Sequence, residues 1–307
     1  MKKILSVLYV TGFLPVLATT ITIGSSEPAD KDIVLYANDV LEINGNGLTA
    51  NCTVTVTNSD YNTTAKIKFL TTATIAAPIY VDDSVEFQVA ANATGTVAGK
   101  LTVVANSHGD AHVRSSVESG GLLKYTGGAS LSGTKSSMYT TFRVLKGNVD
   151  ITDNPFESTF SISMICGHLT FKDGGAWKTG AANGAGLYLC RSEQNADAIF
   201  EVGQGGYVEF GNNQKIHVGY AANKLSKIYV NGGTFVTKQA GDQIYFNYNT
   251  SDQPGGSGNA VLEIDNGGIF SNKCHVVVGN SANGRASIVL GTGLWTAGEY
   301  YKTFLIT

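Results

Sequence analysis

Charge is scarce in this chain. Charged residues fill 15% of its 307 positions, against the roughly 25% usual for globular proteins. The net balance of -3 contains no basic cluster. Nucleic acid selects a concentrated positive face, so a nucleic-acid partner is excluded. Proline occurs only 5 times, which does not fit a collagen-like or low-complexity chain. The four cysteines, Cys52, Cys166, Cys190 and Cys274, are widely scattered. They form neither a disulfide framework nor a paired-thiolate metal site. Cys166 and Cys190 are the least distant pair, should an exported chain form a bridge at all. After the first twenty residues no segment can span a membrane as a helix, and no sustained helical periodicity appears.

What is present begins with a leader. "MKKILSVLYVTGFLPVLATT" opens with Lys2 and Lys3, then runs apolar from Ile4 to Ala18. Val16 and Ala18 satisfy the small-residue rule for cleavage, so residues 1–18 read as a signal peptide with a mature start near Thr19. Pro15 breaks the stretch, which is short for a membrane-spanning helix. The expectation is an exported chain whose residues 19–307 form one domain.

Glycine is abundant at 37 residues, and it recurs inside one phrase. "LTFKDGGAW" (169–177), "IFEVGQGGYVEF" (199–210), "IYVNGGTFV" (228–236) and "VLEIDNGGIF" (261–270) each read strand, Gly/Asn turn, strand. The first glycines of these turns are Gly174, Gly205, Gly232 and Gly267. Weaker versions fall at Asn46, Asp83, Gly120, Gly147 and Thr292, and Gly120, Gly147 and Gly174 are each 27 apart. A third strand follows in each unit: "GLYLC", "KIHVG", "QIYFN", "HVVVG". Variable polar loops at 191–198, 220–227 and 247–260 close the units.

Repeats of this length signal stacked units. Three short strands in about 27 residues suit a right-handed parallel β-helix, whereas a propeller blade needs about 40–45 residues. The expected fold is therefore all-β, a β-solenoid of about nine coils, roughly 40 Å long by strand spacing. Trp177, Val208, Phe235, Phe270 and Trp295 occupy the position after the turn. A column shared by Trp, Val and Phe reads as an inward ladder, not as a sugar-stacking platform.

The repeats resemble the β-solenoid passenger regions of bacterial autotransporter-type and adhesin-like surface proteins. That resemblance implies an elongated, secreted or surface-displayed protein, usually without catalysis, whose partners are glycans or other surface proteins. It departs from the pattern in having neither a C-terminal translocator barrel nor an anchoring tail. The last segment, "EYYKTFLIT", is an apolar strand without a polar cap. An open strand edge invites pairing, so either the end associates with another chain or the sequence continues beyond Thr307.

Candidate chemistry is sparse. His108, Asp110 and His112 alternate along "SHGDAHVR" and share one face if extended. Two imidazoles and a carboxylate are a ligand set for a transition metal, while Gly109 and Ala111 favour a plain loop. His168, His217 and His275 stand alone and read as structural. Glu201 and Glu263 share a column two coils apart, roughly 10 Å by strand spacing, beyond the about 6.5–9.5 Å of inverting glycosidases. Glu201 and Glu209 flank one turn, and Arg191 and Lys172 are the basic groups at hand, but no cluster forms around them. The sequons at Asn51, Asn62, Asn92 and Asn249 read as coincidence in an Asn- and Thr-rich chain, and "QPGGSGN" lacks the lysine of a phosphate loop. No cofactor is expected. The leading expectation is a non-catalytic, adhesin-like binding protein. The alternative is a carbohydrate-active β-helix enzyme, which needs charged residues from three adjacent coils to converge in a groove.

Overall fold

The computed structural model describes residues 18–24, 29–57, 63–105, 111–133, 140–158, 161–179, 186–189, 196–211, 215–219, 223–238, 243–247, 258–279, 284–297 and 304–306. Every regular element among them is a β-strand, and the strands build three sheets of 12, 10 and 11 strands. Sheet 1 runs from Thr20–Ile23 to Phe304–Ile306, sheet 2 from Gly47–Leu48 to Arg285–Leu290, and sheet 3 from Ile33–Leu35 to Leu294–Ala297. The chain visits sheets 1, 2 and 3 in turn and returns to sheet 1 one rung further on, pairing parallel each time. This is a parallel β-helix with three strands per coil. No helix among the described residues is long and apolar enough to cross a membrane.

Side-chain alternation explains why each strand takes its place. In Ala65–Phe69, Ala65, Ile67 and Phe69 are fully buried while Lys66 and Lys68 point outward. The period of two gives every strand one core face. The column after the turn is a continuous file in sheet 3. Trp177 pairs with Val208, Val208 with Phe235, Phe235 with Phe270 and Phe270 with Trp295. The first four are fully buried, so both the core reading and the ladder hold. Rings from sheets 1 and 2 join it: Phe142 and Phe171 lie 5.8 and 5.7 Å from Trp177, and Phe200 lies 6.1 Å from Phe235. Such edge-on and tilted pairs add about 0.5–1.5 kcal/mol each beyond the area they bury.

The strand counts of 12, 10 and 11 exceed the nine coils that the glycine turns suggest, because coil length is not constant. Thr20 pairs with Val40, a turn of 20 residues, and Ile79 with Leu101, a turn of 22. Leu101 to Ala129 takes 28, and Thr234 to Ile269 takes 35. The weaker anchors also mark other corners. Gly174, Gly205, Gly232 and Gly267 lie between sheets 2 and 3, whereas Gly120 and Gly147 lie between sheets 1 and 2, and Asp83 between 3 and 1. The equal spacing from Gly120 through Gly174 thus joins two different corners.

The double glycine has two separate causes. At Lys172–Gly175 the Gly175 amide donates to the Lys172 carbonyl at 2.8 Å, and Asp173 and Gly174 have φ of 52° and 87°. Two left-handed central residues make a type I′ turn, which Asp, Asn and Gly tolerate. A Cβ on Gly175 would lie 1.9 Å from the Ile151 carbonyl oxygen of the previous coil. The first glycine serves the backbone angle and the second serves close stacking.

At the last described rung of sheet 2, Leu290 is 55% exposed, while Ile264, its partner one coil earlier, is fully buried. The core file is open there among the described residues.

Candidate functional site

The outer face of sheet 2 carries a column that no single repeat reveals. Lys124, Asp150, Thr170, Glu201, Tyr229 and Glu263 are consecutive register partners, one per coil. Inward neighbours such as Val149, Leu169 and Phe200 are fully buried, so the sheet holds these outward groups on a rigid floor. Where the column meets the sheet 2–sheet 3 corner, it bounds a groove of about 680 Å³. The groove spans from Leu122 and Asn148 to Asn266, six rungs, or roughly 24 Å at the usual strand spacing.

Its floor is a hydrogen-bonded network. Lys172 Nζ lies 2.8 Å from Asp150 Oδ2, and the Asp150 side chain is only 10% exposed. His168 Nε2 donates to Glu201 Oε2 at 2.7 Å, and Asn231 Nδ2 donates to Glu201 Oε1 at 2.8 Å. Asn266 Nδ2 in turn donates to Asn231 Oδ1 at 2.6 Å. The hydrogen bond from His168, with that from Asn231 and the nearby Lys172 charge, holds the Glu201 carboxyl below the usual glutamate range despite burial. The hydrogen bond to Asp150 holds the Lys172 ammonium above its usual range. Asp173, at the left-handed turn, is exposed and lines the groove. The only ring in the lining is the His168 imidazole.

The sequence-level candidates are redistributed. Glu201 is in the groove, with Lys172, which had no evident cluster, and His168, which had read as structural. Glu263 keeps its register two coils from Glu201 but pairs with Lys227 at 2.7 Å. Glu209 faces outward from sheet 3, not sheet 2, where Lys238 lies at 2.6 Å and the Tyr207 hydroxyl donates at 2.6 Å. Burial and that hydrogen bond push the Tyr207 phenol up to about 12. Glu201 and Glu209 therefore belong to different faces.

Of the metal-ligand candidates, His108 and Asp110 lie outside the described residues, as does Arg191. His112 stands on the strand Ala111–Val117 of sheet 1, buried, with its pKa lowered to about 3 by burial and by the Arg143 and Arg114 charges. Its column-mates Arg114 and Arg143 are register partners, and two guanidiniums oppose a bound cation. Cys52, Cys166 and Cys274 are free and buried, and Cys190 lies outside the described residues. His217 is sandwiched between Tyr188 and Tyr245, at ring distances of 5.0 and 4.8 Å. The stack is nearly inaccessible.

Asp150, Asp173, Asn231 and Asn266 were not singled out as site residues. The signal that finds them is register: they fall together once the sheet 2–sheet 3 corners are aligned and the differing loop lengths set aside. No protein-family profile, curated protein or solved structure matches the chain.

Proposed function

We propose that this is an exported, adhesin-like binding protein that holds its ligand in the sheet 2 groove without cleaving it. The observation that carries this reading is the state of the groove's charges. A glycosidase needs one carboxyl held protonated as an acid. Here Asp150 lies against an ammonium and Glu201 is held ionised by three partners. A lyase needs a lysine that readily gives up its proton to act as base, and Lys172 is shifted the opposite way. The arrangement suits recognition by fixed donors and acceptors.

One observation favours the alternative, a carbohydrate-active enzyme. Charged side chains from successive coils do converge, and Asp150 and Glu201 sit two rungs apart, roughly 10 Å along the backbone. The two readings separate when the purified chain is incubated with immobilised polysaccharides and both retained protein and newly released sugar ends are measured. Retention without release is expected. Release of ends that stops in Glu201→Gln would establish the enzyme instead.

A further inference from the structure

From the groove's charge and hydrogen-bonding capacity we infer that its ligand is an extended oligosaccharide bearing free amino groups, and that chains of uronic acids are excluded. This rests on the reading of the groove as a binding site. The lining holds three carboxylates, Asp150, Asp173 and Glu201, against one ammonium, Lys172. With His168 neutral the balance is two negative charges. Asp150 and Glu201 already have close partners. Asp173 is exposed, and among the described residues no cation lies within ion-pair distance of it. A uronate chain would meet net repulsion here, whereas an ammonium on a sugar ring meets an available carboxylate.

The rest of the lining supplies what hydroxyls require. Asn231 commits one N–H to Glu201 and its oxygen to Asn266, which leaves its second N–H. Asn266 keeps its oxygen and one N–H, and Asn148 and Gln204 add amides further along. A peptide finds neither of its usual holds. Strands in the middle of sheet 2 are paired on both sides, as Ala198–Val202 is with His168–Phe171 and Leu225–Asn231, so no edge remains for strand addition. Leu122 is the one large apolar side chain in the lining, so no pocket receives a peptide's side chains. The groove's length, roughly 24 Å by strand spacing, admits several sugar units along the solenoid axis.

Asp173 gives a clean test because glycine adopts its left-handed backbone without strain. Asp173→Gly removes the carboxylate and keeps the turn, which an unchanged melting temperature verifies. The probes are a glucosamine hexamer, its fully N-acetylated counterpart and a galacturonate hexamer, titrated calorimetrically into the full chain. The glucosamine hexamer should bind, weaken with added salt, and bind Asp173→Gly about tenfold more weakly. The acetylated hexamer should bind less well and respond little to Asp173→Gly, and the galacturonate should not bind. Galacturonate binding that Glu201→Gln alters, or glucosamine binding indifferent to Asp173→Gly, overturns the inference while keeping the groove as a binding site. Binding of a polylysine peptide but of no hexamer likewise overturns it alone. Failure of all four probes, with no polysaccharide retaining the protein, removes the binding reading as well.

Discussion

The coils before Leu101 and those after it follow one winding rule with different contents. Early coils take 20 to 26 residues per turn, as from Thr20 to Val40 and from Val40 to Lys66. Their core is mainly aliphatic: Leu41, Ile43, Val54, Ile67, Ile75 and Ile79. Their outer faces are plain, with one exposed ring, Tyr80, at a hollow of about 290 Å³ beside Thr55 and Thr102. Later coils take up to 35 residues, stack aromatic rings from Tyr125 to Trp295 and carry the charged groove. The short coils show that about 20 residues suffice to wind the helix. The additional length and the charges are therefore free to serve recognition, and they occur together.

This comparison can be tested first in the cores. A solenoid's coils contact only their neighbours, so damage should stay near its origin. Trp177→Ala should cost about 3–5 kcal/mol, while Ile67→Val in the early coils should cost only about 0.5–1.5. Chemical denaturation gives the magnitudes, and hydrogen exchange should show Trp177→Ala loosening mainly the strands Pro155–Ser158 and Tyr207–Phe210 on either side. Smaller still is the exposed pair Lys68–Glu42 at 3.7 Å. Lys68→Ala should change stability by less than about 1 kcal/mol.

Acid should separate the regions too, through two groups with lowered values. His112 is neutral in the folded chain down to about pH 3, whereas its unfolded value is 6.5. The unfolded chain binds the extra proton between these limits, so stability falls as pH drops from 6.5 towards 3. His112→Asn should flatten that stretch of the profile in urea denaturation. Glu201 contributes stability above the ordinary glutamate value of 4.5, and this is lost as pH falls through its lower folded value. Glu201→Gln should remove that acid-side loss and leave the His112 stretch intact.

Much of the architecture was legible because a stacked fold repeats its constraints. Trp177, Val208, Phe235, Phe270 and Trp295 could be aligned from the turn alone, and they are in register. The coil count was not legible, since corners such as Ala76–Pro78 use no glycine pair and the short early coils leave no 27-residue echo. The groove was not legible for a related reason. His168 and Glu201 are 33 positions apart, and Asn231 and Asn266 are 35 apart. They meet only after loops of unequal length are closed. Asp173 and Asn266 carry a further disguise, since their left-handed φ of 52° already explains an Asp or Asn at each turn.

The most direct test titrates one ligand, the oligosaccharide that binds best, against two variants. Glu201→Gln alters the groove of the later coils, and Tyr80→Ala removes the one exposed ring of the plain early face. The account predicts that Glu201→Gln weakens binding severalfold and that Tyr80→Ala binds like the parent chain. Binding lost in Tyr80→Ala and intact in Glu201→Gln would move recognition to the short coils and contradict it.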